Sequence, residues 1–107
     1  MAYNLADLHV HSFCSDGLRT PTQAVEEARN AGVRALSLTD HDTVNGIEEA
    51  TRAGSELGVE VVPGTELSAH VDDREVHLLA YFLNWQSPAV GAYLSILGQR
   101  QPGLRYH

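Results

Sequence analysis

The chain contains 107 residues, of which 43% are hydrophobic and 20% are charged, so it has the size and composition of one folded domain and is not a disordered protein. Its 14 acidic and 7 basic residues give a net charge of −7, which excludes the basic surface needed to bind duplex nucleic acid or an anionic membrane. The single cysteine, Cys14, excludes an intramolecular disulfide, and the first residues and apolar runs lack signal-peptide and membrane-span patterns, so we expect a cytoplasmic protein.

The first half of the chain alternates apolar runs with helical patterns. A strand is predicted over Leu5–His11, followed by a polar turn. A helix is predicted to begin after the N-cap Thr20, with proline at its first position and a glutamine that completes a capping box, and to end at Gly32. The spacing of apolar residues then predicts a second strand over Ala35–Thr39 and a second helix over Val44–Leu57.

The second half continues with a short strand over Val59–Val62 and a hairpin, whose strands we place at Leu67–Val71 and Arg74–Leu83. A last helix is predicted over Pro88–Leu97 and a C-terminal tail over residues 98–107. Strands that alternate with helices are typical of βα units around a parallel sheet. The sequence therefore predicts one α/β domain followed by a short tail.

Polar side chains alternate with apolar ones along the first predicted strand. Asp7, His9 and His11 share one face, and residues 6, 8 and 10 are predicted to pack the other. Two imidazoles at the end of a strand converge on one point, as the ligands of a metal ion do, and Asp7 is then placed to orient a ligating ring. The pair on its own also fits edge or cross-strand histidines without a metal.

Four further polar residues occupy corresponding positions along the chain. Asp16 lies in the loop after the first strand, His41 follows the second, Glu66 follows the third and His77 lies on the fourth. The carboxyl ends of parallel strands converge on one face of a sheet or barrel, where active sites are built. This positional regularity predicts a metal site.

Each of these residues also fits an ordinary structural role. Asp16 could be a turn residue, and His41 could pair with a neighbouring carboxylate at a helix cap. Glu66 could be an exposed acid, and His77 could be a core histidine in an apolar strand. His70, before the tip of the hairpin, is predicted to be exposed and is not counted as a ligand.

Four motifs taken together resemble those of a known family. They are Asp7-Leu8-His9-Val10-His11-Ser12, Thr39-Asp40-His41-Asp42-Thr43, Pro63-Gly64-Thr65-Glu66-Leu67-Ser68 and Glu75-Val76-His77-Leu78-Leu79-Ala80-Tyr81. Their order and spacing resemble those of the PHP (polymerase and histidinol phosphatase) metal-dependent phosphoesterases. The resemblance implies a distorted barrel of about seven βα units, of which residues 1–97 would form the N-terminal half, with about four strands and three helices.

The resemblance implies six ligands for two or three divalent ions, namely His9, His11, Asp16, His41, Glu66 and His77. By the same resemblance, His9 and His11 would hold the first ion, and Glu66 would bridge it to a second ion on His77. Asp16 and His41 would hold a third ion, and Asp16, His41 and Glu66 are expected to take part in catalysis. The ions would be zinc, manganese, iron or magnesium, and imidazole-rich sites favour the first three.

The implied activity is hydrolysis of a small phosphorylated substrate, a phosphoric monoester or a nucleotide, by water activated between the ions. The motifs are most similar to the branch with nucleoside 3′,5′-bisphosphate and nucleoside monophosphate phosphatases. The family's further ligands belong to a second half that would follow residue 107. A fragment, a natural half that pairs with another chain and a degenerate member all stay open.

A half barrel leaves a strand edge and an apolar face uncovered, which predicts a homo-oligomer or a partner that covers them. Two other functions fit the same motifs. One is a metal-stabilised interaction or regulatory domain with weak or no catalysis. The other is a metal-dependent amidohydrolase, which has a similar His-x-His strand end, although Thr39-Asp40-His41-Asp42 argues against it.

Overall fold

A computed structural model describes the backbone of residues 5–99 and the side chains of residues 5–97. Its elements in chain order are β1 (Leu5–Val10), α1 (Pro21–Asn30), β2 (Val33–Leu38), α2 (Ile47–Leu57), β3 (Glu60–Val61), β4 (Gly64–Val71), β5 (Arg74–Tyr81) and α3 (Pro88–Gln99). β1, β2 and β3 form a parallel sheet in that order, and β4 and β5 form an antiparallel hairpin. The predicted α/β class and its three helices are confirmed, and the described strands number five rather than about four.

One hydrophobic core joins the parallel sheet to α1 and α2. Its buried members are Ala24, Val25, Leu36, Leu38, Ala50, Ala53 and Val59. The predicted start of α1 is confirmed, because the Thr20 hydroxyl accepts a hydrogen bond from the backbone N–H of Gln23 and the Gln23 side chain accepts one from the backbone N–H of Thr20. The capping box satisfies two N–H groups that a helix leaves without partners at its start.

The packing predicted for β1 is only partly correct. Val10 packs against the core, but Leu8 on the same face is 42% exposed. Among the described residues β1 pairs only with β2, so it is an edge strand with one side unpaired. The side chain of Leu8 on this strand therefore keeps contact with solvent.

α2 begins at Ile47, three residues after the predicted start at Val44. The residues between form a loop in which the Thr43 hydroxyl accepts a hydrogen bond from the N–H of Asn45 (3.1 Å). The Thr43 carbonyl accepts one from the Thr65 hydroxyl (3.0 Å). These contacts provide hydrogen-bond partners for the loop backbone outside a helix, so the helix does not extend into the loop.

β4 begins at Gly64, earlier than the predicted Leu67, so Glu66 lies within a strand and not after one. Gly64 packs so closely on Ser37 that a Cβ atom would overlap the hydroxyl. The N–H of Glu66 then donates to the carbonyl of Asp40 (3.0 Å), and the N–H of Asp42 donates to the carbonyl of Glu66 (2.9 Å). This parallel bridge between His41 and Glu66 connects the hairpin to the end of β2.

The remaining boundaries differ by one or two residues. β5 ends at Tyr81 rather than Leu83, because Phe82 has a φ of 60°, which a strand does not accommodate. α3 runs to Gln99, two residues beyond the predicted end at Leu97, and the helix continues through a glycine. The rest of the predicted tail lies outside the described residues. Within residues 5–99, no helix combines the length and the hydrophobicity needed to cross a bilayer.

Candidate metal centre

The end of β1 meets the hairpin at the side chain of Glu66. Oε1 of Glu66 lies 2.8 Å from Nε2 of His9 and 2.8 Å from Nε2 of His11. The two rings stand edge to face with their centroids 5.0 Å apart. The sequence correctly predicted that the two imidazoles share one face. The expectation that Glu66 is an exposed acid is excluded, since only 6% of the residue is exposed.

The loop after β1 brings a second carboxylate to the same place. Oδ1 of Asp16 lies 2.7 Å from Nδ1 of His11, and Oδ2 of Asp16 lies 3.1 Å from Nε2 of His41. The His11 and His41 ring centroids are 4.5 Å apart. Asp16 is thus both a turn residue and a partner of two histidines, and His41, at the end of β2, is buried at the centre of the cluster.

β5 adds His77 from the opposite side of Glu66. Nδ1 of His77 lies 2.8 Å from Oε2 of Glu66, and its ring centroid is 5.1 Å from that of His41. The alternative of a core histidine is wrong, because the His77 side chain is 37% exposed. His70, also on the hairpin, is exposed and outside the cluster, as predicted.

The six candidate ligands form three overlapping groups of three. Each group has one donor atom per residue, and these atoms all lie within 4.8 Å of one another. We name the groups the strand triad (His9, His11, Glu66), the loop triad (His11, Asp16, His41) and the hairpin triad (His41, Glu66, His77). Imidazole and carboxylate donors at this spacing suit zinc, manganese or iron. The residues therefore fit the divalent ions that the resemblance implies.

Two of the histidines have a carboxylate on each side. His11 lies between Asp16 and Glu66, and His77 lies between Glu66 and Glu75, whose Oε1 is 3.1 Å from Nε2 of His77. A neutral imidazole has one N–H only, so it can donate to just one of two such carboxylates. Both contacts of such a histidine are satisfied when its ring carries a proton on each nitrogen, or when a cation replaces one of these two protons.

The charges of the cluster alter the acidity of its members. Burial raises the pKa of Glu66, but hydrogen bonds with His9, His11 and His77 and the charge of His41 outweigh burial and lower this pKa from 4.5 to about 2. The hydrogen bond with Glu75 raises the pKa of His77 above 6.5, since it and the contacts with Glu66 outweigh burial. Glu66 is therefore an anion among histidines across the ordinary pH range, as a ligand of cations must be.

Some neighbours of the site differ from expectation or were not predicted. Asp7 does not orient a ring; its carboxylate accepts a hydrogen bond from the backbone N–H of His9 (3.3 Å). Glu75 was not predicted as a partner of His77, although alternation along a strand places the two residues on one face. Asp40, which belongs to the second motif, is buried beside the site, and the sequence predicted no role for it. Nothing in the local pattern distinguishes it from the exposed acid of an ordinary loop.

Comparison with known proteins assigns the chain to a family. The PHP domain matches residues 7–104. This chain belongs to the PHP domain family. The match includes all four motifs that carried the resemblance, and it extends over every described strand and helix except the first two residues of β1.

Curated relatives share part of their sequence with the chain. It is 40% identical over 99 residues to a 5′-3′ exoribonuclease of Haemophilus influenzae, which covers 92% of this chain and 35% of the relative. It is 36% identical over 88 residues to a 3′,5′-nucleoside bisphosphate phosphatase of Chromobacterium violaceum, and the match covers 82% of this chain and 31% of the relative. The chain thus spans about a third of the length of these relatives.

A solved structure supports the same arrangement of elements. It comes from Bifidobacterium adolescentis and is described as that of a metal-dependent phosphoesterase. It matches this PHP chain with a TM-score of 0.80 at 35% identity, over 87% of this chain and 32% of the other. With 87% of this chain covered, the likeness is not confined to the four motifs.

Proposed function

We propose that this PHP chain is a metal-dependent phosphoesterase, or the metal-binding part of one. The observation that carries the proposal is the position of Glu66 between two sets of histidines. One carboxylate oxygen faces His9 and His11, and the other faces His77 (2.8 Å in each case). A carboxylate with a histidine on each oxygen is suited to hold two cations a few ångströms apart, which is the arrangement used for phosphoryl chemistry.

The proposed ligands are His9, His11, Asp16, His41, Glu66 and His77. Divalent ions held there would supply Lewis-acid stabilisation of charge on a phosphoryl group. The chain's own residues bind those ions as neutral imidazoles and carboxylates. His41 and Glu66 are buried, and the more exposed Asp16 lies 3.1 Å from His41. We assign these three residues the closest approach to the reacting group.

We propose a small phosphorylated substrate of the nucleotide type. Support comes from the relatives, whose names specify an exoribonuclease and a nucleoside bisphosphate phosphatase. Both names denote cleavage of phosphoester bonds in nucleotides or RNA, so they favour catalysis over a purely structural role of the metal centre. The choice between mononucleotides and longer strands is left to the assay described below.

We also propose that the chain works in the cytoplasm and associates with a second copy or with a partner that covers its open side. The support is the exposure of apolar side chains on β1 and β5, among them Leu5, Leu8 and Leu78. Contiguous exposed apolar surface favours association. Sedimentation at tens of micromolar tests this directly, and a monomer at that concentration would contradict it.

The test of the proposed function measures bound metal and hydrolysis together. The purified chain is analysed for metals, stripped, reloaded with manganese or zinc, and assayed on an aryl phosphate, a nucleoside 3′,5′-bisphosphate and a short RNA. We expect bound metal and metal-dependent release of phosphate or nucleotide. His9→Ala should lose both, whereas His70→Ala, which removes an exposed histidine outside the cluster, should retain both.

The outcomes separate the two parts of the proposal. Full metal content in the His9→Ala protein would contradict the assigned ligands. Metal that is bound and lost on His9→Ala, with hydrolysis at background for every metal and substrate tested, would reject phosphoester catalysis by this chain while leaving its metal site intact.

A further inference from the structure

A buried carboxylate that belongs to none of the three triads lies beneath the metal centre. Asp40 is 2% exposed, and three donors converge on its two oxygens. Oδ1 accepts from the backbone N–H of Ser12 (2.5 Å) and from the hydroxyl of Ser15 (2.8 Å), and Oδ2 accepts from the hydroxyl of Ser12 (2.6 Å). Because both oxygens are occupied and shielded from solvent, Asp40 is not available as a metal ligand itself.

The donors belong to the loop that separates two candidate ligands. Ser12 and Ser15 lie between His11 and Asp16, and both serines are fully buried. The loop is closed further by hydrogen bonds from the N–H groups of Ser15 (3.1 Å) and Gly17 (2.8 Å) to the Ser12 carbonyl. The half-exposed Asp16 side chain therefore projects from a short turn whose interior is held by Asp40.

Asp40 also contacts the other segments of the centre through its backbone. Its carbonyl accepts hydrogen bonds from the Thr65 hydroxyl (2.8 Å) and from the N–H of Glu66 (3.0 Å), and His41 is the next residue along the chain. One residue thus links the loop that carries Asp16, the end of β2 and the strand that carries Glu66. A buried polar network in which every donor has a partner is rigid, because each lost partner leaves an unsatisfied group.

We propose that Asp40 is a positioning residue that sets the loop triad by holding the Ser12–Ser15 turn, so that Asp16 reaches His11 and His41 together. This inference rests on the proposed metal centre. A carboxylate suits the position because it has two acceptor oxygens and no donor, which matches a turn that presents two hydroxyls and one N–H. The strand and hairpin triads are built around Glu66 and depend less on this turn.

The experiment uses cobalt(II) as a visible probe of the metal-stripped chain. Titrations are followed by absorbance for the unaltered chain, Asp40→Ala, Asp40→Asn, Asp16→Ala and the double variant Asp40→Ala/Asp16→Ala. Asp40→Ala should lower the affinity of one class of bound cobalt by about 10- to 100-fold, the usual effect of removing a group that supports a ligand, and leave the other class unchanged. Asp40→Asn, which keeps one acceptor oxygen, should lose less and so partly rescue the site.

The double variant and a matched control separate positioning from general stability. Asp16→Ala should lose the same class of cobalt, and adding Asp40→Ala to it should cause no further loss. Ser37→Ala is the control: it removes a fully buried hydroxyl of β2, which donates to the carbonyl of Val62 (2.8 Å), without touching the turn. We expect Ser37→Ala to bind cobalt like the unaltered chain even where its melting temperature falls.

Several results would overturn the inference. They are unchanged cobalt binding in Asp40→Ala, equal loss in Ser37→Ala, or a further loss when Asp40→Ala is added to Asp16→Ala. If Asp40→Ala does not fold, the graded loss in Asp40→Asn decides the matter in the same way. If the unaltered chain binds no cobalt, the proposed function fails, but amide hydrogen exchange in the metal-free chain still tests the turn. Asp40→Asn should speed exchange at the N–H groups of Ser12 and Gly17. Unchanged exchange at these groups would overturn the role of Asp40.

Discussion

The parallel sheet and the β4–β5 hairpin both contribute side chains to the candidate metal centre, but they are packed very differently. In the sheet, Leu36 is fully buried beneath α1 and α2. In the hairpin, Leu78 is 54% exposed. Apolar burial is the main source of stability in a domain, so the sheet has a core of its own and the hairpin depends more on polar contacts.

Many of the polar contacts that join the hairpin to the sheet lie at the metal centre. The backbone of Glu66 bonds to Asp40 and Asp42, and its carboxylate contacts the histidines of β1. Farther along β5, the Tyr81 hydroxyl donates to the Leu8 carbonyl (2.6 Å). The candidate metal centre therefore also joins two differently packed regions, and binding a cation there should stabilise the attachment of the hairpin.

Glu66→Gln should have the largest effect on this joint. The amide keeps the shape of the side chain but not its charge, and Glu66 belongs to both the strand triad and the hairpin triad. We expect metal affinity at these two triads to fall by roughly 100-fold or more, since even supporting groups are worth 10- to 100-fold. Calorimetric titration with zinc measures this, with His70→Gln as the control, and unchanged stoichiometry and affinity would rule out a bridging role for Glu66.

Core truncation should distinguish the two regions. Leu36→Ala removes a fully buried side chain and is expected to lower the free energy of unfolding by about 2–5 kcal/mol. Leu78→Ala removes an exposed side chain of the hairpin and, at protein concentrations low enough to keep the chain monomeric, should change the free energy of unfolding by less than about 0.5 kcal/mol. Urea denaturation of the metal-free chain gives both values. A loss of similar size in the two variants would mean that the hairpin face is covered in solution.

The metal-free chain should be most stable at mildly acidic pH. Because the pKa of Glu66 is lowered from 4.5 to about 2, its stabilising contribution is complete above pH 4.5 and is lost as the pH falls towards 2; this corresponds to about 3 kcal/mol. The raised pKa of His77 contributes stability below pH 6.5 that is lost as the pH rises through the folded-state value. We therefore expect a maximum between these limits.

Thermal denaturation of the stripped chain from pH 3 to 8 measures this profile. In the Glu66→Gln variant the loss of stability at acidic pH should be smaller, because the group that is protonated there is missing. Loading with a divalent ion should move the maximum to higher pH, since the cation replaces protons on the histidines. Stability of the stripped chain that rises steadily from pH 5 to 8 would contradict the assigned ion pairs.

The smallest effect is expected at the start of α1, far from the joint. Thr20→Ala removes the hydroxyl of the capping box and should lower the free energy of unfolding by about 1 kcal/mol. Zinc affinity should stay unchanged, because the cap supports the helix and not the ligands. Thr20→Ser, which keeps the hydroxyl, is the matched control, and a fall in zinc affinity in Thr20→Ala alone would show that the sheet layer and the metal centre are coupled.

The sequence by itself determined the local features of this protein. Alternation along a strand placed His9 and His11 on one face, and the capping box after Thr20 located the start of α1, because these patterns depend only on neighbouring residues. Motif order also indicated the family, which the match over residues 7–104 shows. The position of Glu66 within a strand was missed, since it depends on the close packing of Gly64 on Ser37.

The tertiary structure decided how the ligands combine. Glu66 contacts His9 and His11 across more than fifty residues of sequence, and the burial of Asp40 depends on a turn that precedes it by 25 and 28 residues. The contacts of Glu66 follow from the pairing of β4 with the end of β2, and those of Asp40 follow from the parallel pairing of β1 with β2. No local pattern specifies either pairing. Residue types and their spacing therefore predicted which side chains could bind a metal, whereas the fold determined which of them lie together in one triad and which buried carboxylate lies beneath them.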